Sequence, residues 1–444
     1  MVNISTDALF ECCFDAPYVE LTRRSLNTMS VTTAPAAVGD TDEARRAALL
    51  ERAERADLAR EIGDLVQEWG RREVRPTIAA RETAGEFPRD LYAQMGQMGF
   101  FGCCFPPEVG GTGAGFRALA AVSEKLAWVY PPLSASMNLQ AATVPLTIAN
   151  WGTPEQRERW VPGLLTGELL GCNAMTEPDG GSDFLGAMRT RAVRDGDDYV
   201  LNGAKMWITN ANVADVAIVY AKTDPAAGHR GVTAFVVPTA TPGFEATRVP
   251  CRGLGKLMPT NSVSLTDVRV PASALLGAEG QGFVVAMNAM DYGRLTVAAR
   301  SVGLAQACLD AALAYADERT AFGDKIGSFQ MVKKQLADMT VEVAAARGLV
   351  AEAAARYDEG DLATRESSIA KYYAGEVCNR AAQATAEIFG GAAFMDELPI
   401  GLYLNFAKLW QTGEGSANIQ AVLIADDALG WKRMDRHRTV LKSS

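Results

Sequence analysis

Histidine is nearly absent from this chain of 444 residues: only His229 and His437 occur. A hydrolase with a Ser-His-Asp triad and a histidine-rich metal site both need imidazole groups at the reacting centre. Because His437 lies in a charged C-terminal segment, we expect neither kind of site. The sequence predicts no bound metal.

Positive charge is also in short supply. The chain has 43 Lys and Arg residues against 53 Asp and Glu residues, a formal net charge of −10. This balance argues against a broad basic surface for nucleic acid. Hydrophobic residues make up 48% and charged residues 22% of the chain, as in ordinary globular proteins. The length corresponds to roughly three domains.

Cysteine pairs of the Cys-x-x-Cys type are lacking among the eight cysteines. A chain of this size does not need disulfides to fold, so we expect reduced thiols and a cytoplasmic protein. The first 25 residues carry acidic side chains instead of a basic start and an apolar run, so we expect no signal peptide. Met29 is an alternative start.

The longest stretch without charge, residues 126–154, contains Asn138, Gln140, Thr143 and Pro145. These polar residues make it a poor membrane span. We therefore predict a helix buried inside the protein.

The pattern of the sequence changes twice along the chain. A loose arm at 1–40 precedes a helical pattern at 41–171, in which Thr153 and a following proline predict the start of a helix. Residues 172–280 alternate β-branched and aromatic residues, with hairpin signals at Asp195-Gly196 and Asn202-Gly203. Residues 281–434 are again helical, near 283–319, 328–359, 363–390 and 415–429, before a tail at 435–444. The order predicts an α+β multidomain fold, with an antiparallel sandwich or barrel between two helical domains.

Four segments carry residues suited to chemistry. "AMTEPDGGSD" at 174–183 combines hydroxyls with two glycines, whose backbone N–H groups can approach an anion. "KMWITNA" at 205–211 has Trp207 and Thr209 two residues apart on a predicted strand, so that they face the same side. "ERTAFGDKIGSFQ" at 318–330 begins a helix connection with Arg319, and "WQTGEGSANIQ" at 410–420 has Glu414 between two glycines. Taken singly, each is more typical of a turn, a core strand or a surface helix end.

Taken together and in this order, the four segments resemble the acyl-CoA dehydrogenase family over nearly all of residues 45–430. The resemblance implies an N-terminal helical domain, a middle antiparallel β-barrel and a C-terminal four-helix bundle. It also implies FAD as cofactor, a homotetramer whose subunits share flavin sites, and an electron-transfer flavoprotein as electron acceptor.

The resemblance assigns roles to particular residues. The flavin and its diphosphate are expected to contact Asn173, Met175, Thr176, Ser182, Trp207 and Thr209. The FAD of a neighbouring subunit is expected to contact Arg319, Phe322, Gln330, Glu387 and Gly391, with Ser416 and Asn418 following the base. Positions on the substrate side are Ser182, Asp291, Arg294 and Gly415.

Glu414 matches the family's catalytic base. In some branches the base instead directly precedes the arginine of "MDYGRL", where this chain has Gly293. In the resembled mechanism, Glu414 takes the α-proton of an acyl thioester while the β-hydrogen leaves as hydride to the flavin, and the Glu414 backbone N–H binds the thioester carbonyl. Burial is expected to raise the pKa of this carboxyl.

The chain departs from the family pattern near the expected adenosine end of FAD. Glu387 replaces a usual Gln, and Ala393 replaces a usual Gly. The usual Lys, Arg and Asp before Lys408 are replaced by Leu402, Asn405 and Phe406.

Other functions fit parts of the sequence. Dehydrogenation of an acyl group on a carrier protein in a secondary-metabolite pathway is the second hypothesis, and an oxygen-using acyl-CoA oxidase is the third. A flavin-bearing DNA-binding relative is disfavoured by the net charge of −10.

Overall fold

The structure is a computed structural model that describes residues 42–431, with side chains from residue 50 onward. The predicted arm at 1–40, Met29 and the tail at 435–444 lie outside the described residues. The chain divides into a unit Met1–Glu51 and a unit Arg52–Ser444. Everything below concerns the second unit, apart from the opening turns of the first helix.

The described chain up to residue 170 is helical. Its helices are α1 Asp42–Trp69, α2 Ile78–Ala84, α3 Arg89–Gln97, α4 Gly115–Val129, α5 Pro131–Asn138, α6 Val144–Trp151 and α7 Pro154–Thr166. The predicted start of α7 is confirmed: the Thr153 hydroxyl accepts from the backbone of Gln156, whose side chain accepts from the backbone of Thr153.

The uncharged stretch forms two buried helices joined by a π-helical turn at Leu139–Thr143. The prediction of a buried helical segment is therefore confirmed. Its polar side chains are bonded to one another and to neighbouring elements. Asn138 donates to Thr143 Oγ1 at 3.1 Å, and Gln140 donates to the carbonyl of Leu169 at 2.8 Å.

The middle domain is a sheet. Its strands are β1 Gly171–Ala174, β2 Arg191–Asp195, β3 Asp198–Thr209, β4 Val216–Lys222, β5 Val232–Pro238, β6 Phe244–Arg248, β7 Thr260–Pro271 and β8 Leu275–Leu276, with a short helix α8 at Phe184–Ala187. The pairing order is β6-β7-β3-β2-β4-β5-β8, and β1 pairs with β4. Most pairings are antiparallel, as predicted, but β4 runs parallel to both β1 and β2.

One of the two hairpin predictions is confirmed. Asp195 pairs with Asp198, so Asp195-Gly196 opens the tight turn between β2 and β3. The prediction at Asn202-Gly203 is wrong, because both residues lie inside β3. The register against β7 shifts between Leu201 and Gly203, so this glycine marks an irregularity in a continuous strand.

Strand β4 separates two apolar cores. Val216, Ile218 and Tyr220 belong to the core shared with the helices, and the alternate residues Ala217 and Val219 belong to the core of the middle domain. A strand buried on both faces reads as a continuous apolar run. The sheet therefore packs directly on the helical domains.

The C-terminal domain is built on three long helices. They are α9 Gly282–Glu318, α10 Gln330–Asp358 and α11 Thr364–Phe389, followed by α12 Ile400–Thr412 and α13 Ala417–Ala428. A small ribbon of β9 Thr320–Ala321 and β10 Asp324–Lys325 joins α9 to α10. The sequence prediction missed α12. Its buried Ile400, Tyr403 and Phe406 recur at helical spacing and carried the signal.

Helix α9 is the central element. At 37 residues it extends about 56 Å. Among the helices described, it is the one long and apolar enough to cross a membrane, and 72% of its most apolar window is buried inside the protein. The six cysteines within the described residues are free thiols, and most are buried.

Candidate active site

Glu414 lies in a tight turn between α12 and α13. Gly413 donates its N–H to the carbonyl of Leu409 at 2.8 Å, which ends α12. The Ser416 hydroxyl accepts from the backbone of Ile419 and begins α13. Between them, Glu414 has φ +55° and Gly415 has φ +86°. A left-handed conformation is uncommon for a glutamate and indicates a locally constrained backbone.

The side chain of Glu414 points at Gly293 on α9. A Cβ atom built on Gly293 would lie 2.5 Å from Glu414 Oε2. A side chain at 293 and the Glu414 carboxylate therefore compete for one space. This contact explains how position 293, directly before Arg294, and position 414 can serve the same role in different branches of the family that the sequence resembles.

Basic residues surround the Glu414 carboxylate. Burial raises the pKa of Glu414, and the charges of Arg300, Lys371 and Arg294 oppose this rise. Arg294 already forms an ion pair with Asp291 at 2.8 Å, and the Thr364 hydroxyl donates to the same aspartate. The two α9 residues predicted on the substrate side, Asp291 and Arg294, are therefore a buried pair near Glu414.

Arg300 and Lys371 were missed by sequence reasoning. Arg300 donates to the carbonyls of Thr296 and Ala135, both at 3.3 Å, and burial lowers the pKa of its guanidinium to about 10. The available signal for Arg300 was an arginine inside the apolar run "TVAARSVGLA". A buried charge is unfavourable unless other groups bond to it, so an arginine in such a run indicates a residue with a specific role.

A second group of predicted residues lies in the middle domain. Loop 175–183 follows β1, and it is joined to β3 by the N–H of Met206, which donates to the carbonyl of Thr176 at 2.9 Å. The Lys205 ammonium donates to Glu177 Oε1 at 2.8 Å and to the carbonyl of Met175 at 3.3 Å. The two family motifs are thus in direct contact.

The Glu177–Lys205 ion pair is buried, and neither residue was singled out from the sequence. Lys205 has no exposed surface, and Glu177 is 5% exposed. Glu177 also accepts from the backbone of Arg189 at 2.6 Å and of Thr190 at 3.1 Å. Burial would raise the pKa of Glu177, but Lys205 and these N–H groups hold it below its usual value. The pair fixes the loop to the sheet.

Trp207 does not follow the regular alternation expected of a strand. The register between β3 and β7 shifts between Lys205 and Ile208, and Trp207 has φ +64°. This bulge leaves the indole 56% exposed while Ile208 is buried and Thr209 is half-buried. The ring is therefore available to a flat ligand.

The middle domain has features that fit FAD. The side-chain oxygen of Asn173 is buried without a hydrogen-bond partner within the described residues. A Cβ on Gly181 would meet nothing within 4 Å, so open space borders that backbone, and Ser182 is exposed. An unpaired acceptor, an open glycine and an exposed indole are the groups that a flavin with its diphosphate would use.

A third group lies at the far end of the long helices. Its members are exposed: Arg319, Phe322, Gln330, Glu387 and Gly391. Phe322 is 99% exposed with φ +54°. Arg319 follows Gly293 by 26 residues on the axis of α9, a distance of about 39 Å. The structure therefore does not bring this group to the Glu414 site of its own chain.

The departures from the family pattern have local partners. Glu387 accepts from Gln335 Nε2 on α10 at 2.6 Å. Phe406 is fully buried against Trp410, with ring centroids 5.5 Å apart, and Ala393 is also buried. Asn405 donates to the carbonyl of Gly401, while Leu402 is half-buried. Phe406 and Ala393 thus contribute to packing of the helices.

The remaining predicted residues lie close to Glu414 in the chain. Gly415 and Ser416 are half-buried in the turn itself, and Asn418 is exposed in the first turn of α13. In the part of the chain that the structure describes, no group of three or more His, Cys, Asp or Glu side chains is arranged to hold a metal ion.

Comparison with known proteins agrees with this arrangement. Three family models match in order: the acyl-CoA dehydrogenase N-terminal domain at residues 57–168, the middle domain at 172–268 and the C-terminal domain at 280–429. Glutaryl-CoA dehydrogenase of Desulfococcus multivorans is 39% identical over 84% of this chain and 96% of its own length. The caffeyl-CoA reductase-Etf complex subunit CarC of Acetobacterium woodii is 36% identical over 82% of this chain and 96% of its own length.

Solved structures are similar over the same region. A glutaryl-coenzyme A dehydrogenase in complex with glutaryl-CoA superposes with a TM-score of 0.83 at 37% identity, covering 86% of this chain and 98% of that one. The prolyl acyl carrier protein oxidase AnaB superposes with a TM-score of 0.79 at 26% identity, covering 83% and 98%. With all three domain models matched in order, the chain belongs to the acyl-CoA dehydrogenase family.

Proposed function

We propose that the protein is an FAD-dependent dehydrogenase that converts an acyl-CoA into the trans-2-enoyl-CoA, with Glu414 as the catalytic base. The observation that carries this proposal is the Glu414 carboxylate, which faces Gly293. Among the described residues, no donor hydrogen-bonds to its oxygens. A half-buried carboxylate with a raised pKa is suited to take a weakly acidic α-proton.

The chain's own groups account for the proton step. Glu414 takes the proton from the α-carbon, and the Asp291–Arg294 pair beside it borders the acyl group. The N–H of Glu414 makes no hydrogen bond within the described residues, so it is available to the thioester carbonyl oxygen. A donor at this position stabilises the negative charge that develops when the proton leaves.

FAD, when bound, supplies the acceptor for the hydride that leaves the β-carbon. The residues proposed to hold it in the middle domain are Asn173, Met175, Thr176, Ser182, Trp207 and Thr209. The Glu177–Lys205 pair fixes the loop that carries Met175, Thr176 and Ser182, and Asn173 lies in β1 directly before that loop. Bound substrate and flavin would exclude water from Glu414.

The assembly that we propose is a homotetramer with closed symmetry. Arg319, Phe322, Gln330, Glu387 and Gly391 are exposed, and Arg319 lies about 39 Å along α9 from Gly293. The same surface carries large exposed apolar side chains, among them Phe322, Met331 and Phe394. Such a surface fits burial against a second copy, whose FAD these residues would contact.

An electron-transfer flavoprotein is the acceptor that we propose, by analogy with the relative named as a subunit of an Etf complex. We also propose a place in fatty acid metabolism, and the cytoplasmic location expected from the cysteines stays a prediction. A carrier-protein thioester is the second candidate substrate, because a carrier protein oxidase superposes over 83% of the chain. The higher identity to CoA-dependent relatives favours CoA.

The test is a substrate panel with the purified protein. We expect about one FAD per chain and bleaching of its absorbance by an acyl-CoA, faster than by the same acyl group on a carrier protein. A series of straight, branched and dicarboxylic acyl groups would define the substrate. A faster reaction with the carrier-bound group would show that the carrier-protein thioester is the better substrate. If no thioester bleached the flavin, both candidate substrates would be refuted.

A further inference from the structure

Lys371 on α11 holds both ends of the turn that carries Glu414. Its side chain is 1% exposed. The ammonium donates to the carbonyl of Gln411 at 3.0 Å and to the carbonyl of Gly415 at 2.6 Å. One side chain thus joins the last turn of α12 to the residue that follows Glu414. Among the described residues, these two carbonyls are its hydrogen-bond partners.

The backbone of this turn needs such support. A non-glycine residue with φ near +55° costs about 1–2 kcal/mol, and it persists where surrounding contacts fix it. Lys371 and the Gln420 amide, at 3.3 Å, both donate to the Gly415 carbonyl. These two bonds fix the Gly415 carbonyl, which directly follows Glu414 in the chain. Without Lys371, one weak bond remains at that carbonyl.

The charge of Lys371 also acts on the site. The charged groups that face it are Glu414 on the turn, Arg294 on α9 and Glu376 on its own helix. Burial lowers the pKa of Lys371 to about 8, so the ammonium is mostly protonated at neutral pH. Arg294 is matched by Asp291, whereas Lys371 has no carboxylate within ion-pairing distance among the described residues. Its charge therefore favours the ionised form of the nearby Glu414.

We propose that Lys371 is a positioning residue of the reaction, which fixes the turn 411–415 and keeps the Glu414 carboxylate ionised. This proposal rests on the proposed role of Glu414 as the base. It adds a residue on α11 that touches neither substrate nor flavin and acts through the turn.

The test replaces Lys371 by Met, which keeps the length of the side chain and removes the ammonium. The rate of single-turnover flavin bleaching by an acyl-CoA is measured from acidic to alkaline pH in the FAD-loaded protein. We expect the rate at neutral pH to fall about 10- to 100-fold, since a displacement of about 1 Å has effects of this size. We also expect the acidic limb of the profile to move up by roughly one pH unit, because loss of a nearby cation raises the pKa of Glu414.

Two control variants separate charge from packing. Lys408→Met removes an exposed lysine that donates to the side chain of the same Gln411 at 2.5 Å, and its profile is expected to match the wild type. Lys371→Arg keeps a cation, so its acidic limb is expected near the wild-type position even where its rate is lower. An unshifted limb in Lys371→Met, or an equally shifted one in Lys371→Arg, would overturn the proposal. If Lys371→Met does not retain FAD, the position of the acidic limb in Lys371→Arg still tests the proposal.

A double variant shows whether Lys371 acts through the base. In the background of Glu414→Gln, Lys371→Met is expected to slow the residual reaction less than it slows the wild type, because only the placement of the backbone N–H at 414 is then lost. A further loss as large as in the wild-type background would mean that Lys371 acts independently, and the proposal would fail. If Glu414→Gln alone bleached like the wild type, the base assignment would fail instead, which is a different result.

Discussion

Lys205 and Lys371 are two buried lysines with different surroundings. Burial lowers the pKa of each ammonium to about 8. Lys205 lies 2.8 Å from the Glu177 carboxylate, whereas Lys371 bonds to two carbonyl oxygens and acts on Glu414 from beyond ion-pairing distance. A buried pair with matched charge holds two segments together. A buried cation without a close partner instead changes the electrostatics of its surroundings, which here contain Glu414, the proposed base.

The largest expected effect comes from breaking the matched pair. Lys205→Met leaves Glu177 buried without its counter-charge, which costs about 3–5 kcal/mol in such pairs. The loop at 175–177 also loses a bond to β3, so we expect FAD release and a much lower thermal midpoint. The measurement is thermal unfolding followed by flavin fluorescence.

Two further variants complete this test. Removing both charges, in Lys205→Met with Glu177→Gln, is expected to restore part of the stability, because no buried charge is left unpaired. Lys371→Met is expected to lose less stability than Lys205→Met. Equal losses in the two single lysine variants would contradict the distinction between a matched pair and an unmatched cation.

A smaller effect on stability, but a clear one on rate, is expected from Gly293→Ala. The new methyl group would lie 2.5 Å from Glu414 Oε2, so the carboxylate must move. We expect the carboxylate to move by about 1 Å, and a displacement of this size reduces the rate by about 10²-fold. The FAD content is expected to stay the same. Stopped-flow bleaching with an acyl-CoA measures this rate. A rate within a few-fold of the wild type would mean that Glu414 does not act from its position in the structure.

The smallest effect is expected at an exposed basic residue, Arg319. Arg319→Ala removes an exposed guanidinium proposed to bind the diphosphate of a neighbouring subunit's FAD. Loss of one charge-assisted contact is expected to weaken FAD binding by about 10-fold, with the oligomer intact. The control is Lys325→Ala, in the same connection between α9 and α10 as Arg319. This variant breaks an exposed ion pair with Asp317 and is expected to bind FAD normally. Equal retention in both variants, measured by dialysis, would argue against the shared site.

The sequence was sufficient for the order of the domains, because strand alternation and helical spacing are local features. The role of Glu414 came from the resemblance of the four segments taken together, and it stays a prediction. The sequence was insufficient at Asn202-Gly203, where pairing of β3 with β7 decides between a turn and a strand irregularity. Glu177 was visible within a motif, but its partnership with Lys205 depends on two segments 28 residues apart. Lys371 lies in an ordinary helical pattern, and its role appears only when α11 packs against the turn.

The most direct test of the central claim is Glu414→Gln. This replacement keeps the shape of the side chain and removes the base, and Gly293 offers no substitute. We expect wild-type FAD content and assembly, but single-turnover bleaching by a good acyl-CoA slowed by about two to four orders of magnitude. In the wild type, the rate should rise with pH through the raised pKa of Glu414, because only the ionised carboxylate accepts the proton. A variant that binds FAD and bleaches within a few-fold of the wild type would show that another group is the base.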